Sequence, residues 1–267
     1  MTSHTVTTPG RVAFVGAGPG QADLITVRGA QRLAQASVVL VDALVDPELR
    51  ALAPQARWLH VGKRGYTDST TQEAINALLV KCAFDVGSGS LVVRLKGGDP
   101  SVFGRLEEEL QAMADAGIAC EVVPGVTAAL AAAASAQRPL TRRGTGRSVS
   151  FATAMTATAG DAGDTPAANG HADTEVFYMA GKQLGALARK LIAAGWLADT
   201  NACVTSRAGW PDELRSDHQL ATLSRASMLH AGRPTVVVIG AGARSLSTSP
   251  PAVHADTPAL NEAGVPH

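Results

Sequence analysis

Short apolar runs alternate with helix-length segments along the first half of the chain. The runs predicted to be strands are residues 11–15, 38–41, 58–61, 91–95 and 121–123. Helical spacing is present in residues 24–36, 106–116 and 127–136, and a capping-box pattern of Ser69 and Gln72 opens one more helix. Strands that alternate with helices at this spacing predict an open, mainly parallel sheet with helices on both faces.

The second half of the chain has more widely spaced strands and fewer helix signals. Residues 148–153, 175–179, 202–205 and 235–239 predict strands, and residues 184–194 predict a helix that Gly195 ends. A polar stretch at 137–147 predicts a hinge, and residues 157–173 predict a surface loop or insertion. We therefore expect two lobes, a parallel α/β lobe over 1–137 and a mixed α/β lobe over 138–243, followed by a disordered tail over 244–267.

The composition argues against a nucleic-acid or membrane-surface protein. The 23 basic residues equal the 23 acidic ones, and aromatic residues make up only 4% of the chain. The N-terminus lacks a secretion-signal pattern, and the longest apolar stretch, 126–136, is about half the ~20 residues of a membrane span. We expect a cytoplasmic protein that needs no metal, since Cys82, Cys120 and Cys203 are far apart and are predicted to be buried apolar residues.

Three glycine-rich loops follow predicted strands of the first lobe. They are the segments GAGPG at 16–20, KGGDP at 96–100 and PGVTA at 124–128. Each could be a tight turn, because glycine and aspartate serve turns routinely. The carboxyl ends of parallel strands meet at one edge of a sheet, however, and ligands bind there in open α/β sheets. The three loops together therefore predict one ligand-binding crevice, in which Thr127 could cap a helix or contact the ligand.

A nicotinamide-dependent oxidoreductase is an alternative interpretation of the first loop. Asp42 ends the second strand, where such enzymes place a ribose-binding acid. Two details count against it. The glycine spacing is GxGxG and not GxGxxG, and Pro19 has no N–H to offer a pyrophosphate.

Longer motifs carry a resemblance to a known family. They are VGAGPGQADLITVRGAQRLAQASVVLVDALV, VGKRG, QEAINALL, VVRLKGGDPSVFGR and VVPGVTAALAAAA, in this order and spacing. Together they resemble the uroporphyrinogen-III C-methyltransferases of the tetrapyrrole methylase superfamily, over residues 11 to 243. The resemblance implies S-adenosylmethionine as cofactor, bound in a trough between two lobes, usually in a homodimer. It also implies methylation of two pyrrole carbons of uroporphyrinogen III, through precorrin-1 to precorrin-2, for sirohaem or cobalamin.

The resemblance also assigns roles to individual residues. It places Asp42 as proton acceptor and Lys63 as proton donor, although a lysine could equally anchor a substrate carboxylate. The positions that it implies for cofactor contact are Pro19, Gly97, Gly98, Asp99, Val102, Thr127, Ala128, Met179 and Ala208.

The tetrapyrrole's acetate and propionate arms need local cations in a neutral protein. Arginines on or beside the predicted crevice loops suit carboxylates, and we expect some of them to bind substrate: Arg28, Arg64, Arg105, Arg142, Arg143 and Arg147. The chain departs from the family pattern in PLTRR, FATAM, FGRLEE and YMA, mostly in the second lobe and the substrate cleft.

Two further alternatives stay open at the level of sequence. One is a methylase of a later corrin intermediate, and the other is a relative that binds cofactor without turnover. No dehydrogenase-type segment precedes the methylase motifs, so the sequence predicts against a fused trifunctional sirohaem synthase.

Overall fold

The computed structural model describes residues 8–61, 71–154 and 171–246. Its first sheet has five strands, all parallel, in the order β3-β2-β4-β1-β5. The strands are β1 (Arg11–Gly16), β2 (Val38–Val41), β3 (Arg57–His60), β4 (Leu91–Lys96) and β5 (Cys120–Val123). The central strands β1, β2 and β4 are almost wholly buried, as apolar strands with helices on both faces must be. The predicted parallel sheet is confirmed.

In the described ranges four helices accompany this sheet, and one of them begins at the predicted residue, Leu106. They are α1 (Val27–Ala34), α2 (Gln72–Val86), α3 (Leu106–Asp115) and α4 (Ala128–Ser135). The predicted helix over 24–36 is wrong at its start, because Thr26 caps α1 through a 3.1 Å hydrogen bond from the Gly29 N–H. Thr71 caps α2 in the same way, and the Ser69 of the predicted capping box lies outside the described residues.

The second sheet is mixed, as predicted. Its strands are β6 (Val149–Thr153), β7 (Thr174–Tyr178), β8 (Asn201–Ser206), β9 (Leu214–Gln219) and β10 (Thr235–Gly240). Their order is β6-β7-β10-β8-β9, with β6 and β7 parallel and the other neighbours antiparallel. Helix α5 (Leu184–Ala193) and a 3₁₀ segment at Leu220–Ser227 cover one face. Strand β9 was not predicted, because its residues LRSDHQ carry no apolar run.

Helix α4 joins the two sheets. Its alanines, including Ala129 and Ala132, pack against Val176, Val236 and Val238 of the second sheet, although α4 directly follows a strand of the first. The carboxyl edge of the first sheet is thereby held against one end of the second. The expected two-sheet α/β architecture is confirmed, and no helix in the described ranges is long and apolar enough to cross a bilayer.

Candidate active site

The three glycine-rich loops converge at the carboxyl edge of the first sheet. Gly18 and Gly98 exchange backbone hydrogen bonds of 3.2 and 2.9 Å, which join the loops after β1 and β4. The Gly125 N–H donates to the Asp99 carboxylate at 2.8 Å, which joins the loops after β4 and β5. Hydrogen bonds from Ser101 and Gly125 outweigh the effect of burial and lower the pKa of Asp99. We call these three loops the first rim.

Close packing explains most of the glycines in this rim. A Cβ at Gly16 would lie 2.6 Å from the Gly125 Cα, and one at Gly125 would lie 2.2 Å from the Gly98 carbonyl oxygen. A Cβ at Gly97 would instead be 3.6 Å from its nearest neighbour, the Leu44 Cβ. The first two glycines therefore let the loops pack on one another, and Gly97 keeps space for a ligand.

The first loop is not a phosphate cradle. Its Ala17 and Gly18 N–H groups already donate to the carbonyls of Lys96 and Gly98, at 2.8 and 3.2 Å. Together with Pro19, which has no N–H, this leaves few amides for a pyrophosphate. The geometry therefore disfavours the nicotinamide interpretation of GAGPG.

A cavity of about 530 Å³ lies between the first rim and the second sheet. Its second wall is lined by residues 178–179, 207–208, 210 and 234–236. We call this wall, together with the intervening Gly209, the second rim. The structure brings ten of the residues singled out in the sequence to this one cavity: Pro19, Asp42, Gly97, Gly98, Asp99, Val102, Thr127, Ala128, Met179 and Ala208. Its volume is in the range of small-molecule sites.

Several lining residues carry no signal that predicts them from the sequence. They are Leu44, Phe103, Tyr178, Arg207 and Trp210. Phe103, Met179 and Arg207 have φ of 53°, 56° and 53°, so three non-glycine residues in the left-handed region line one cavity. Such backbone strain clusters at functional sites.

The two rims are bonded to each other. The Thr127 hydroxyl lies 2.7 Å from the Tyr178 hydroxyl, and Thr127 makes no capping hydrogen bond to α4. Burial raises the pKa of Tyr178, so the phenol stays a neutral hydrogen-bonding group. On the other side, the Gln21 N–H donates to the Gly209 carbonyl at 3.0 Å, and a Cβ at Gly20 would lie 2.4 Å from that oxygen. The cavity thus has fixed walls.

A buried charge network lies beneath the first rim. Asp42, whose side chain is 30% exposed, pairs with the Arg94 guanidinium at 2.6 Å. Arg94 also pairs with Glu109 at 2.9 Å, and Glu109 pairs with Lys96 at 2.6 Å. Two cations and two anions therefore balance in a region where Arg94, Lys96 and Glu109 are buried. The network fixes the Asp42 carboxylate at the cavity wall.

The two buried cations respond differently to this network. Burial opposes the charge on Arg94, but Asp42 and Glu109 outweigh it and raise the pKa of Arg94. Burial and the neighbouring Arg94 together lower the pKa of Lys96, in spite of its pairing with Glu109. Gln72 completes the network with a 3.3 Å hydrogen bond from its amide to Glu109.

A sequence signal for this network did exist. Arg94 and Lys96 are two residues apart in a buried strand, so their side chains leave the same face of the sheet. Charges in a buried strand must find partners, and Glu109 on α3 supplies one for both.

The predicted substrate-binding cations fall in different places. Lys63 and Arg64 lie outside the described residues. Arg105 lines a surface groove of about 640 Å³ that shares Phe103 and Gly104 with the cavity, and its guanidinium pairs with Glu108 at 2.7 Å. Arg28 is exposed on α1, away from both.

Arg142, Arg143 and Arg147 are not brought to the cavity. They precede β6, which runs parallel to β7, and the cavity adjoins the opposite end of β7, at Tyr178. Arg142 closes a small turn with Gly146 through backbone bonds of 2.7 and 2.9 Å, and its guanidinium binds the Arg244 carbonyl. The expectation that these arginines lie beside the crevice is not supported, because strand direction carries them to the other end of the second sheet.

Comparisons with known proteins agree with this geometry. Residues 11–224 match the family model of tetrapyrrole (corrin/porphyrin) methylases. Siroheme synthase 1 of Yersinia pseudotuberculosis is 45% identical over 232 residues, which are 86% of this chain and 48% of that protein. The siroheme synthase of Sodalis glossinidius is 43% identical, with the same coverage. The chain thus spans about half the length of the curated relatives that it matches.

Solved structures give the same assignment over nearly full length. The uroporphyrin-III C-methyl transferase of Thermus thermophilus, crystallised with S-adenyl homocysteine, is 34% identical with a TM-score of 0.72. The match covers 86% of this chain and 97% of that one. A cobalt precorrin-4 methyltransferase of cobalamin biosynthesis is 28% identical with a TM-score of 0.73, over 88% and 96% of the two chains. The chain therefore belongs to the tetrapyrrole (corrin/porphyrin) methylases, a family of S-adenosylmethionine-dependent methyltransferases.

Proposed function

We propose that this chain methylates two pyrrole carbons of uroporphyrinogen III, through precorrin-1 to precorrin-2, in sirohaem or cobalamin biosynthesis. The observation that carries the proposal is the single cavity lined by Asp42 and by all nine residues that the resemblance assigns to the cofactor. The T. thermophilus uroporphyrin-III C-methyl transferase supports it at 34% identity. The proposal concerns the methylase part alone, whatever else a full-length protein contains.

The cavity walls fit the proposed cofactor. Gly97 and Gly98 leave 3.6 and 3.9 Å around the positions of their absent Cβ atoms, so a ligand can approach the backbone closely there. Apolar contact is available from Val102, Ala128 and Met179. When bound, S-adenosylmethionine supplies an electrophilic sulfonium methyl. The fixed rims would hold the two reacting atoms roughly 3 Å apart, which is the main requirement of such a transfer.

Asp42 is the residue of this site best placed to handle charge. Transfer of the methyl would break its bond to sulfur, release S-adenosylhomocysteine and leave a cationic ring. The methylated carbon then has four carbon substituents and no hydrogen, so the ring becomes neutral when a proton leaves from elsewhere in it. A carboxylate at the cavity wall can accept that proton or stabilise the cation before it leaves. Arg94 holds the Asp42 carboxylate at 2.6 Å, so its orientation is set before substrate binds. The donor role of Lys63 stays a prediction.

Anaerobic incubation with uroporphyrinogen III and S-adenosylmethionine, followed by mass spectrometry, tests the activity. We expect products that carry one and then two added methyl groups. Asp42→Asn keeps the shape of the side chain and is expected to slow turnover by about 10² to 10⁴-fold. S-adenosylhomocysteine binding to the variant is the control. Full turnover in Asp42→Asn would remove Asp42 from the mechanism, and no methylated product from wild type would refute the proposal.

A later precorrin intermediate is the second candidate substrate, favoured by the likeness to cobalt precorrin-4 methyltransferase. A competition assay separates the two candidates. Uroporphyrinogen III and a mixture of later precorrins are offered together, and the methylated products are identified by mass. We expect methylation of uroporphyrinogen III, and exclusive methylation of a later ring system would reverse the assignment.

We also propose that the chain acts as a cytoplasmic homodimer, as the family resemblance implies. Light scattering coupled to size-exclusion chromatography measures the mass in solution, and a monomer at micromolar concentration would contradict this part.

A further inference from the structure

The cationic side chains of the cavity are unequally available for a ligand. In the described part of the chain, the lining includes two of them, Lys96 and Arg207. Lys96 is buried and already pairs with Glu109 at 2.6 Å. Arg207 keeps 27% of its side chain exposed, on the second rim. A negatively charged ligand group that enters the cavity therefore meets Arg207 as the accessible cation.

The fold holds Arg207 in an unusual backbone conformation. The residue directly follows β8, and its φ of 53° lies in the left-handed region, which costs a non-glycine residue free energy. A 2.8 Å hydrogen bond from its N–H to the Pro234 carbonyl stabilises this conformation. Met179, at the end of β7, has a φ of 56° and also lines the cavity. Two residues of the second rim thus have left-handed backbone, which sets the direction of their side chains.

The guanidinium of Arg207 is fixed before any ligand binds. It lies over the ring of Trp210, 4.3 Å from the centroid, and its Nε donates to Asp212 at 2.7 Å. Within the described ranges, the hydrogen bonds of this side chain involve Nε alone, so both Nη groups keep donors for a ligand. A planar, pre-oriented guanidinium with two free nitrogens is suited to a carboxylate.

The cluster around Arg207 holds two guanidiniums and two carboxylates. Asp212 is shared, because Arg233 also binds it, with 3.2 Å between Nη2 and Oδ2. One carboxylate thus faces two guanidiniums. The other nearby acid, Glu213, accepts a 2.9 Å hydrogen bond from the Gly209 N–H. With two guanidiniums and two carboxylates the cluster is neutral overall, so what it offers a ligand is the pair of Nη groups of Arg207 and not an excess of positive charge.

From these observations we infer that Arg207 binds a carboxylate of a ligand in the cavity. The inference rests on the proposed function, which offers two carboxylate sources. One is the aminoacyl end of the cofactor, and the other is an acetate or propionate arm of the tetrapyrrole. Both present the same chemistry to the guanidinium, so the assignment to Arg207 holds for either, and binding measurements distinguish them.

The test uses Arg207→Gln and Arg207→Lys, with Arg225→Gln as matched control. Arg225 is an exposed arginine on the 3₁₀ segment at Leu220–Ser227, outside the cavity lining. Calorimetry measures binding of S-adenosylhomocysteine and of methylthioadenosine, which lacks the aminoacyl carboxylate. Fluorescence quenching measures binding of uroporphyrin III, the oxidised and stable form of the tetrapyrrole.

Weaker S-adenosylhomocysteine binding by about tenfold or more in Arg207→Gln, with methylthioadenosine unchanged, assigns the cofactor carboxylate. The same loss for uroporphyrin III alone assigns a substrate arm. Arg207→Lys should recover part of the affinity, because lysine keeps the positive charge but lacks the paired N–H donors of the guanidinium. Binding of all three ligands within about twofold of wild type, or equal losses for methylthioadenosine and S-adenosylhomocysteine, overturns the inference. Failure of the proposed function appears separately, as absent turnover in wild type.

Discussion

The two rims of the cavity differ in whether backbone or side-chain atoms form the wall. The first rim consists of loop backbone packed on loop backbone, with Gly16, Gly98 and Gly125 in contact and a buried charge network beneath. The second rim consists of side chains at strand ends, of which Met179 and Arg207 have left-handed backbone. A substitution changes the side chain at a position and leaves the backbone atoms there the same. The ligand contacts of the second rim can therefore change by substitution more easily than those of the first rim.

This difference suggests how the two rims divide the work. A wall of backbone suits a ligand part that never changes, such as the proposed cofactor. The second rim carries two of the implied cofactor positions, Met179 and Ala208, and its other side chains can serve the substrate, which differs among tetrapyrrole methylases. The departures from the family pattern agree with this division, since GAGPG and GGDP are intact while YMG has become Tyr178-Met179-Ala180. Four sets of substitutions test this difference between the two rims.

The largest expected effect is on the charge network under the first rim. Glu109→Gln keeps the volume but leaves Arg94 and Lys96, both buried, facing Asp42 alone. Removing one partner of a buried ion pair costs about 3 to 5 kcal/mol of unfolding free energy. Urea denaturation measures it. Glu108→Gln is the matched control, because its pair with Arg105 is exposed and contributes at most about 1 kcal/mol. Equal losses in the two variants would contradict the network's importance.

The next largest effect concerns the backbone packing of the first rim. In Gly125→Ala the new methyl would meet the Gly98 carbonyl at 2.2 Å, so the loops must separate. We expect a loss of about 1 to 3 kcal/mol in stability and weaker S-adenosylhomocysteine binding. In the control Gly185→Ala, on α5, the nearest atom is 3.4 Å away. That variant should match or slightly exceed wild type, since alanine favours helix.

A smaller effect is expected at the hydrogen bond between the rims. Thr127→Val and Tyr178→Phe each leave one buried hydroxyl position without its partner, at a cost of about 1 to 3 kcal/mol. The double variant should cost less than the sum of the two, because neither polar group remains. A double-mutant cycle on thermal or urea unfolding measures the coupling. Strict additivity would mean that the two rims are not joined there.

The smallest effect is a pH dependence that arises behind the second rim. Burial, with His218 and Arg233 nearby, lowers the pKa of His230, which hydrogen-bonds Ser206 and Ser216 at 2.8 Å each. In the unfolded chain the imidazole takes a proton near pH 6.5, and in the folded protein only at lower pH. Stability should therefore fall as the pH drops below about 7. In His230→Gln the melting temperature should fall less steeply as the pH drops below about 7. An unchanged pH dependence of the melting temperature would exclude His230 as its cause.

Sequence alone predicts the first rim better than the second. Its loops are marked by glycines after apolar strands, and that pattern is local. The charge network was missed because Glu107, Glu108 and Glu109 look equivalent in a sequence, and only packing turns Glu109 inward. Arg142 and Arg143 were misplaced for a related reason. Their distance from the crevice depends on the direction of β6 relative to β7, which no local pattern contains.

Helix α4 has a consequence for how the protein could be divided. By chain connectivity it belongs with the first sheet, and by packing its alanines belong equally to the second. A cut at the predicted lobe boundary, after residue 137, would expose the alanine face of α4 on one fragment. It would expose the apolar surface of the second sheet that contacts α4 on the other fragment. The two fragments should then be poorly soluble alone and recover their native state when co-expressed. Because α4 is packed on both sheets, we expect the two sheets to unfold together as one cooperative unit.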